Sequence, residues 1–72
     1  MISVGSLVRF TWWSNYKAPS VSTNRDGRVS WHELKPGDTG VVLSFHSEES
    51  AIVLFSTVDT LLKVSLSMLA PV

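Results

Sequence analysis

The sequence predicts an all-β fold: a small barrel of five short antiparallel strands, with a long first loop and a terminal 3₁₀ turn. Three observations lead there. Apolar and polar residues alternate with a period of two in the first and last strand-like segments, turn-forming residues punctuate the second half of the chain, and no segment spaces its apolar residues at the 3.6 period of an amphipathic helix.

The first strand covers residues 6–12. Its alternation places Val8, Phe10 and Trp12 on one face and Leu7, Arg9 and Thr11 on the other. Between residues 13 and 36 the composition shifts to Ser, Thr, Asn, Lys and Pro with interspersed aromatic residues, and neither period survives. This reads as one long loop with a short strand at residues 28–31, a length that in a compact domain points to a functional segment. Lys35-Pro36-Gly37-Asp38 is a turn signal. Residues 39–45 and 51–57 then read as strands joined around Ser47, Glu48 and Glu49, and residues 60–66 as a last strand setting Leu62, Val64 and Leu66 against Leu61, Lys63 and Ser65. Residues 67–72 close the chain as a 3₁₀ turn ending at Pro71.

Length bounds what such a fold can hold. A chain of 72 residues and 7.9 kDa exposes roughly 11,000–12,000 Å² unfolded and about 4,400 Å² folded. The apolar part of that burial stabilises by on the order of 100 kcal/mol, which ordering entropy of ~1.5 kcal/mol per residue nearly cancels. Residues 1–72 are therefore one thin-cored domain. The chain has no cysteine, so neither a disulfide nor a thiolate zinc site supports it, and oligomerisation is the remaining support. Six basic residues balance six acidic ones, and the basic residues are scattered, which disfavours nucleic acid as a partner. The N-terminus lacks the basic and apolar regions of a signal peptide, and the longest apolar run, residues 51–55, is too short to span a bilayer. A cytoplasmic protein with no membrane partner is expected.

Two stretches carry a resemblance. Val4-Gly5-Ser6-Leu7-Val8-Arg9-Phe10 looks like the opening strand of small SH3-like barrels, and Pro36-Gly37-Asp38-Thr39-Gly40-Val41-Val42-Leu43 resembles the glycine-centred turn and strand of KOW-type sequences. The match covers about a quarter of the chain, and the order of elements is also similar. Such domains occur in ribosome and transcription factors, in a peripheral photosystem I subunit and as small proteins of marine phages. The resemblance implies an SH3-like fold and, for a phage origin, association with a virion. The basic cluster with which KOW domains hold RNA has no counterpart here, nor does the proline-reading aromatic pattern of signalling SH3 domains.

Strand pairing identifies a candidate surface. With Val58 and Asp59 as a two-residue turn, Phe55 faces Leu62, Val53 faces Val64 and Ala51 faces Leu66 on the core side. Ile52 and Leu54 then point outward beside Leu61, and a three-residue loop before Ser50 brings Val42 onto the same outer surface. Val42, Ile52, Leu54 and Leu61 are thus expected either to be covered by the long loop or to form an interface with a second copy or a protein partner.

The remaining motifs carry less chemistry. Ser22, Asn24, Asp26, Gly27, Val29 and Glu33 fit the spacing of an EF-hand calcium loop. Pro19 and Pro36-Gly37 deny it the flanking helices, so the segment reads as a tight turn leading into a strand, with no metal or other cofactor expected. Trp12, Trp13, Tyr16 and Trp31 border the long loop and, with Arg25 and Arg28, form the candidate ligand-binding set; core filling accounts for some of these rings, and base stacking is the alternative role. His32 and His46 are not spaced as metal ligands on one element, no serine sits in a nucleophile elbow, and His32 and Glu33 as strand neighbours point to opposite faces. No catalytic residue is assigned. The expectation is a non-catalytic interaction or assembly module, with a KOW-like RNA- or DNA-binding domain as the alternative.

Overall fold

The computed structural model of the protein describes every residue except Asn24 and Arg25. It is all-β, with one 3₁₀ turn. The strands are β1 (Leu7–Phe10), β2 (Tyr16–Thr23), β3 (Val29–Leu34), β4 (Thr39–Phe45), β5 (Ser50–Phe55), β6 (Leu61–Ser65) and, after the 3₁₀ turn Leu66–Met68, β7 (Leu69–Pro71). They form one antiparallel sheet in the order β3-β2-β6-β5-β4-β1-β7. Two expectations change here. Among the described residues there are seven strands where five were expected, and the sheet stays open, with β3 and β7 as its edges, where a closed barrel was expected. The surface of 4,679 Å² exceeds the ~4,400 Å² typical of this mass, as an open sheet requires.

The segment 13–36 is the largest correction. The short strand expected at residues 28–31 falls within β3, but the rest is not a loop: it is the β2–β3 hairpin, with Tyr16 opposite Leu34, Ala18 opposite His32 and Pro19 opposite Trp31. Its inner face carries only Tyr16, Ala18, Ser20, Ser30, His32 and Leu34, too few large apolar residues to show a period of two. The register also breaks between Pro19 and Thr23. At that break Ser20 Oγ accepts from the Ser30 backbone N–H at 3.1 Å and donates to the Ser22 carbonyl at 2.8 Å, so a side chain replaces the missing ladder bond. At the turn, the Asp26 carboxylate accepts from the Arg28 N–H at 3.3 Å, an Asx turn. Glu33 lies four extended steps beyond Val29, about 13 Å of strand, so Glu33 cannot fold back beside Asp26 as a calcium loop would need.

Other elements fall where the alternation put them. Val8 and Phe10 are fully buried, Trp12 packs against the core, and Leu7 and Arg9 are exposed. The Lys35–Asp38 turn closes with the Asp38 N–H donating to the Lys35 carbonyl at 3.0 Å, and Gly37 takes φ +99°, which suits the third position of a type II turn. The Asp38 carboxylate also accepts from the Lys35 N–H at 2.9 Å. In the β5–β6 hairpin the pairing is Val53 with Leu62 and Ala51 with Val64, two residues from the expected register. The Val58 N–H bonds the Phe55 carbonyl, so the turn takes up more residues than Val58 and Asp59. A shift of two preserves every face, and the core side remains as deduced.

A shift of one has a different consequence in β4. The His46 and Ser47 N–H groups both reach the Ser50 carbonyl, which gives the three-residue loop, and Phe45 pairs with Ala51 and Ser44 with Ile52. Beyond them, however, Val42 pairs with Val53, leaving Leu43 as an extra residue. This β-bulge turns Val42 inward, where it is fully buried, in contrast to the outward position expected. The core is Val8, Phe10, Ala18, Leu34, Val42, Ala51, Val53, Phe55, Leu62 and Val64, with Met68 and Leu69 at its margin. Phe10 meets Phe55 edge-on at 6.5 Å and Tyr16 at 6.3 Å.

Gly40 is the tightest point of this core. It lies between Val8 on β1 and Phe55 on β5, and a Cβ there would stand 2.7 Å from the Leu54 carbonyl oxygen and 2.9 Å from Val53 Cγ1. Gly40→Ala is therefore expected to destabilise the protein by about 1–3 kcal/mol, read as a lower denaturant midpoint at unchanged slope. Deletion of Leu43 is expected to do little, because it leaves Val42 opposite Val53 and Ser44 opposite Ile52 in a regular ladder. Cooperative unfolding within about 2 kcal/mol of the parent is the expected result, and loss of the transition would contradict the bulge assignment.

Candidate apolar interface on the outer sheet face

The inner face of the sheet is occupied by the core, so the outer face decides what the protein presents. Leu7 on β1 pairs with Val41 on β4, Val41 with Leu54 on β5, and Leu54 with Leu61 on β6. Residues directly opposite in register share a face, so these four form one apolar row across four adjacent strands. Leu7 is 62% exposed and Leu54 37%, while Val41 and Leu61 are half-buried by their neighbours. Leu7, Val41 and Leu54 of the row border a groove of about 590 Å³ that Gly40, Phe55 and Val58 also line.

The expected interface set is thereby split. Leu54 and Leu61 lie in the row. Val42 does not, because the bulge turns it inward, and Ile52 is only 7% exposed. Ile52 does point to the outer side, but it lines a smaller cleft of about 240 Å³ with Pro19, Val21 and Val29 of the β2–β3 hairpin and with His46 and Lys63. The segment expected to cover this surface does so at Ile52 and stops short of Leu54. Leu7 and Val41 were missed. The outward face of Leu7 was already legible in the β1 alternation, whereas Val41 exchanges places with Val42 through a bulge that no residue type announces.

The candidate ligand set is also dispersed. Trp12 and Trp13 lie side by side at 6.3 Å between β1 and β2, with Trp13 82% exposed. Tyr16 packs against Phe10. Trp31 stands opposite Pro19 and shares with it and Tyr16 a cleft bounded by Ser47, Glu49, Ser50, Lys63 and Ser65. Arg28 lies 3.6 Å from Asp26 near the hairpin turn, about 20 Å of extended chain from Lys35, and Arg25 lies outside the described residues. Lys17 faces Glu33 across the ladder. Tyr16 and Trp31 thus meet Lys63 in one cleft, which Arg28 does not line.

His32 sits half-buried on the hairpin, while His46 lies on the outer side beside Ile52. Among the described residues no group of three or more His, Asp or Glu side chains is placed to hold a metal ion, and no helix is long and apolar enough to cross a membrane. Comparison of the chain with protein families, curated proteins and solved structures gives no match.

Proposed function

We propose that the protein is a non-catalytic assembly module that buries the outer face of its sheet against a second copy of itself. The observation that carries this reading is the row Leu7, Val41, Leu54 and Leu61, contiguous over four strands and lying in no core. Water ordered over such a row is released when the row is covered, and isolated apolar residues on a monomer surface do not align in this way. The thin core favours the same reading, because contact between copies adds stability that a small chain lacks.

The SH3-like reading of the fold belongs to this proposal. Its support is the order of elements: an opening strand, a long excursion that is itself a hairpin, a glycine turn, two close hairpins, and a 3₁₀ turn before a last short strand. In such a frame the function resides in the exposed face and not in the fold. A virion or a cytoplasmic assembly would use it equally.

Light scattering over a concentration series tests the proposal. The parent chain is expected to exceed the monomer mass at ~100 µM, and Leu54→Glu is expected to lower the average mass at least about twofold while unfolding remains cooperative, since a half-exposed position accepts a carboxylate. Leu7→Glu, remote in sequence but in the same row, should act alike. A parent that stays monomeric throughout, or two variants with unchanged mass, sinks the idea.

A further inference from the structure

The open sheet has two edges, and they differ. β7 has three residues and includes Pro71, which offers no N–H to a further strand. β3 has six residues, Val29–Leu34, with β2 on one side and, among the described residues, no strand on the other. It contains no proline and no lysine, and the extra residues of the hairpin irregularity fall on β2. β3 thus lacks the proline, the short length and the bulged residue that protect sheet edges, and Glu33 is its one acidic side chain.

The direction of its backbone follows from one bond. The Ser30 N–H points inward to β2, where Ser20 Oγ accepts it. Successive residues of a strand aim their N–H and C=O groups to opposite sides, so those of Val29, Trp31 and Glu33 aim outward at the free edge. On the outer face of the sheet, Val29 and Trp31 are exposed, Trp31 by 62%.

We propose that β3 pairs antiparallel with β3 of a second copy about a two-fold axis through Ser30, joining two sheets edge to edge. Only registers that place residues of like parity opposite one another keep the two outer faces continuous. Centred on Ser30, the pairing sets Val29 against Trp31 of the second copy, twice, with reciprocal backbone hydrogen bonds at both pairs and an aromatic ring on a β-branched side chain. Centred on Trp31 it would set Glu33 against Val29, and centred on His32 it would set Glu33 against Trp31. Both place a carboxylate on an apolar partner, which selects Ser30.

This edge contact is separate from the outer-face contact, since none of Leu7, Val41, Leu54 and Leu61 lies in β3. Two self-complementary contacts on one chain give a closed assembly if their axes meet at a closing angle, a tetramer at right angles, and an extended filament if they do not close. A single strand pair is small, so the edge contact alone is weak.

The absence of cysteine from the chain allows a direct test. On the axis, Ser30 faces its own copy in a non-hydrogen-bonded pair, whose Cβ atoms stand about 4.5–5.5 Å apart, close enough for a disulfide after small adjustment. Under mild oxidation at ~100 µM, Ser30→Cys is expected to form a covalent dimer at least about tenfold faster than His32→Cys. Mixing Arg28→Cys with His32→Cys chains, which the register sets opposite one another, should give the mixed dimer faster than either homodimer. Val29→Pro removes an outward N–H without touching the β2 ladder, and it should slow the Ser30→Cys reaction about tenfold at an unchanged unfolding midpoint. In a Leu54→Glu background the preference for Ser30→Cys should persist, so failure of the face contact leaves the edge contact standing. Equal rates for Ser30→Cys and His32→Cys in folded protein, with no preference for the mixed dimer, would overturn the proposal.

Discussion

The bulge at Leu43 is the constraint on which the rest of this structure depends. The β4–β5 loop fixes one register, in which Phe45 pairs with Ala51, and the core demands another, in which Val42 pairs with Val53. A strand with a strict period of two cannot satisfy both, because a slip by one residue exchanges its faces. The extra residue reconciles them, so β4 serves a tight loop at one end and fills the core at the other. Below the bulge, Val42 completes the layer of Val8, Phe10, Val53, Phe55 and Leu62, and Gly40 lets β4 approach β5 closely enough for that layer to close.

The same device shapes the surface. Turning Val42 inward turns Val41 outward, opposite Leu7 on one side and Leu54 on the other. The row from β1 to β6 is thus carried at β4 by Val41 in place of Val42. The hairpin β2–β3 sets its other limit, covering Ile52 with Pro19, Val21 and Val29 and leaving Leu54 beyond its reach. The outer face owes its apolar character to the alternation of four strands and its β4 member to one bulge.

An open sheet presents both a face and edges, and this protein treats its edges unequally. Pro71 and a length of three residues blunt β7, whereas β3 keeps its outward N–H and C=O groups beside exposed Val29 and Trp31. Pro19, in the middle of β2, is accommodated because residue 19 belongs to a pair whose N–H would point away from β3, toward the short contact with β6. A thin core, an apolar face and an available edge in one small chain form a consistent design for assembly, in which contact between copies supplies what the single domain lacks.

The sequence by itself determined the all-β class, the strands β1, β4, β5 and β6, the Lys35–Asp38 turn, and the inward faces of Val8, Phe10, Val53, Leu62 and Val64. Period-two alternation and turn chemistry are local properties, readable wherever a strand is half-buried and regular. The β2–β3 hairpin was not legible, because its inner face is built from Ala18, Ser20, Ser30 and His32, its register is broken, and a side chain carries one of its ladder bonds. Of the candidate interface, Leu54, Leu61 and the outward side of Ile52 were legible and the outward side of Leu7 was available, while Val42 was misplaced and the burial of Ile52 was left open. Tertiary structure alone decided those two: burial at Val42 depends on a bulge that balances loop closure against core packing, and burial at Ile52 depends on a hairpin brought alongside it by β6. Both are contacts between segments distant in sequence, and no local pattern of residues encodes them.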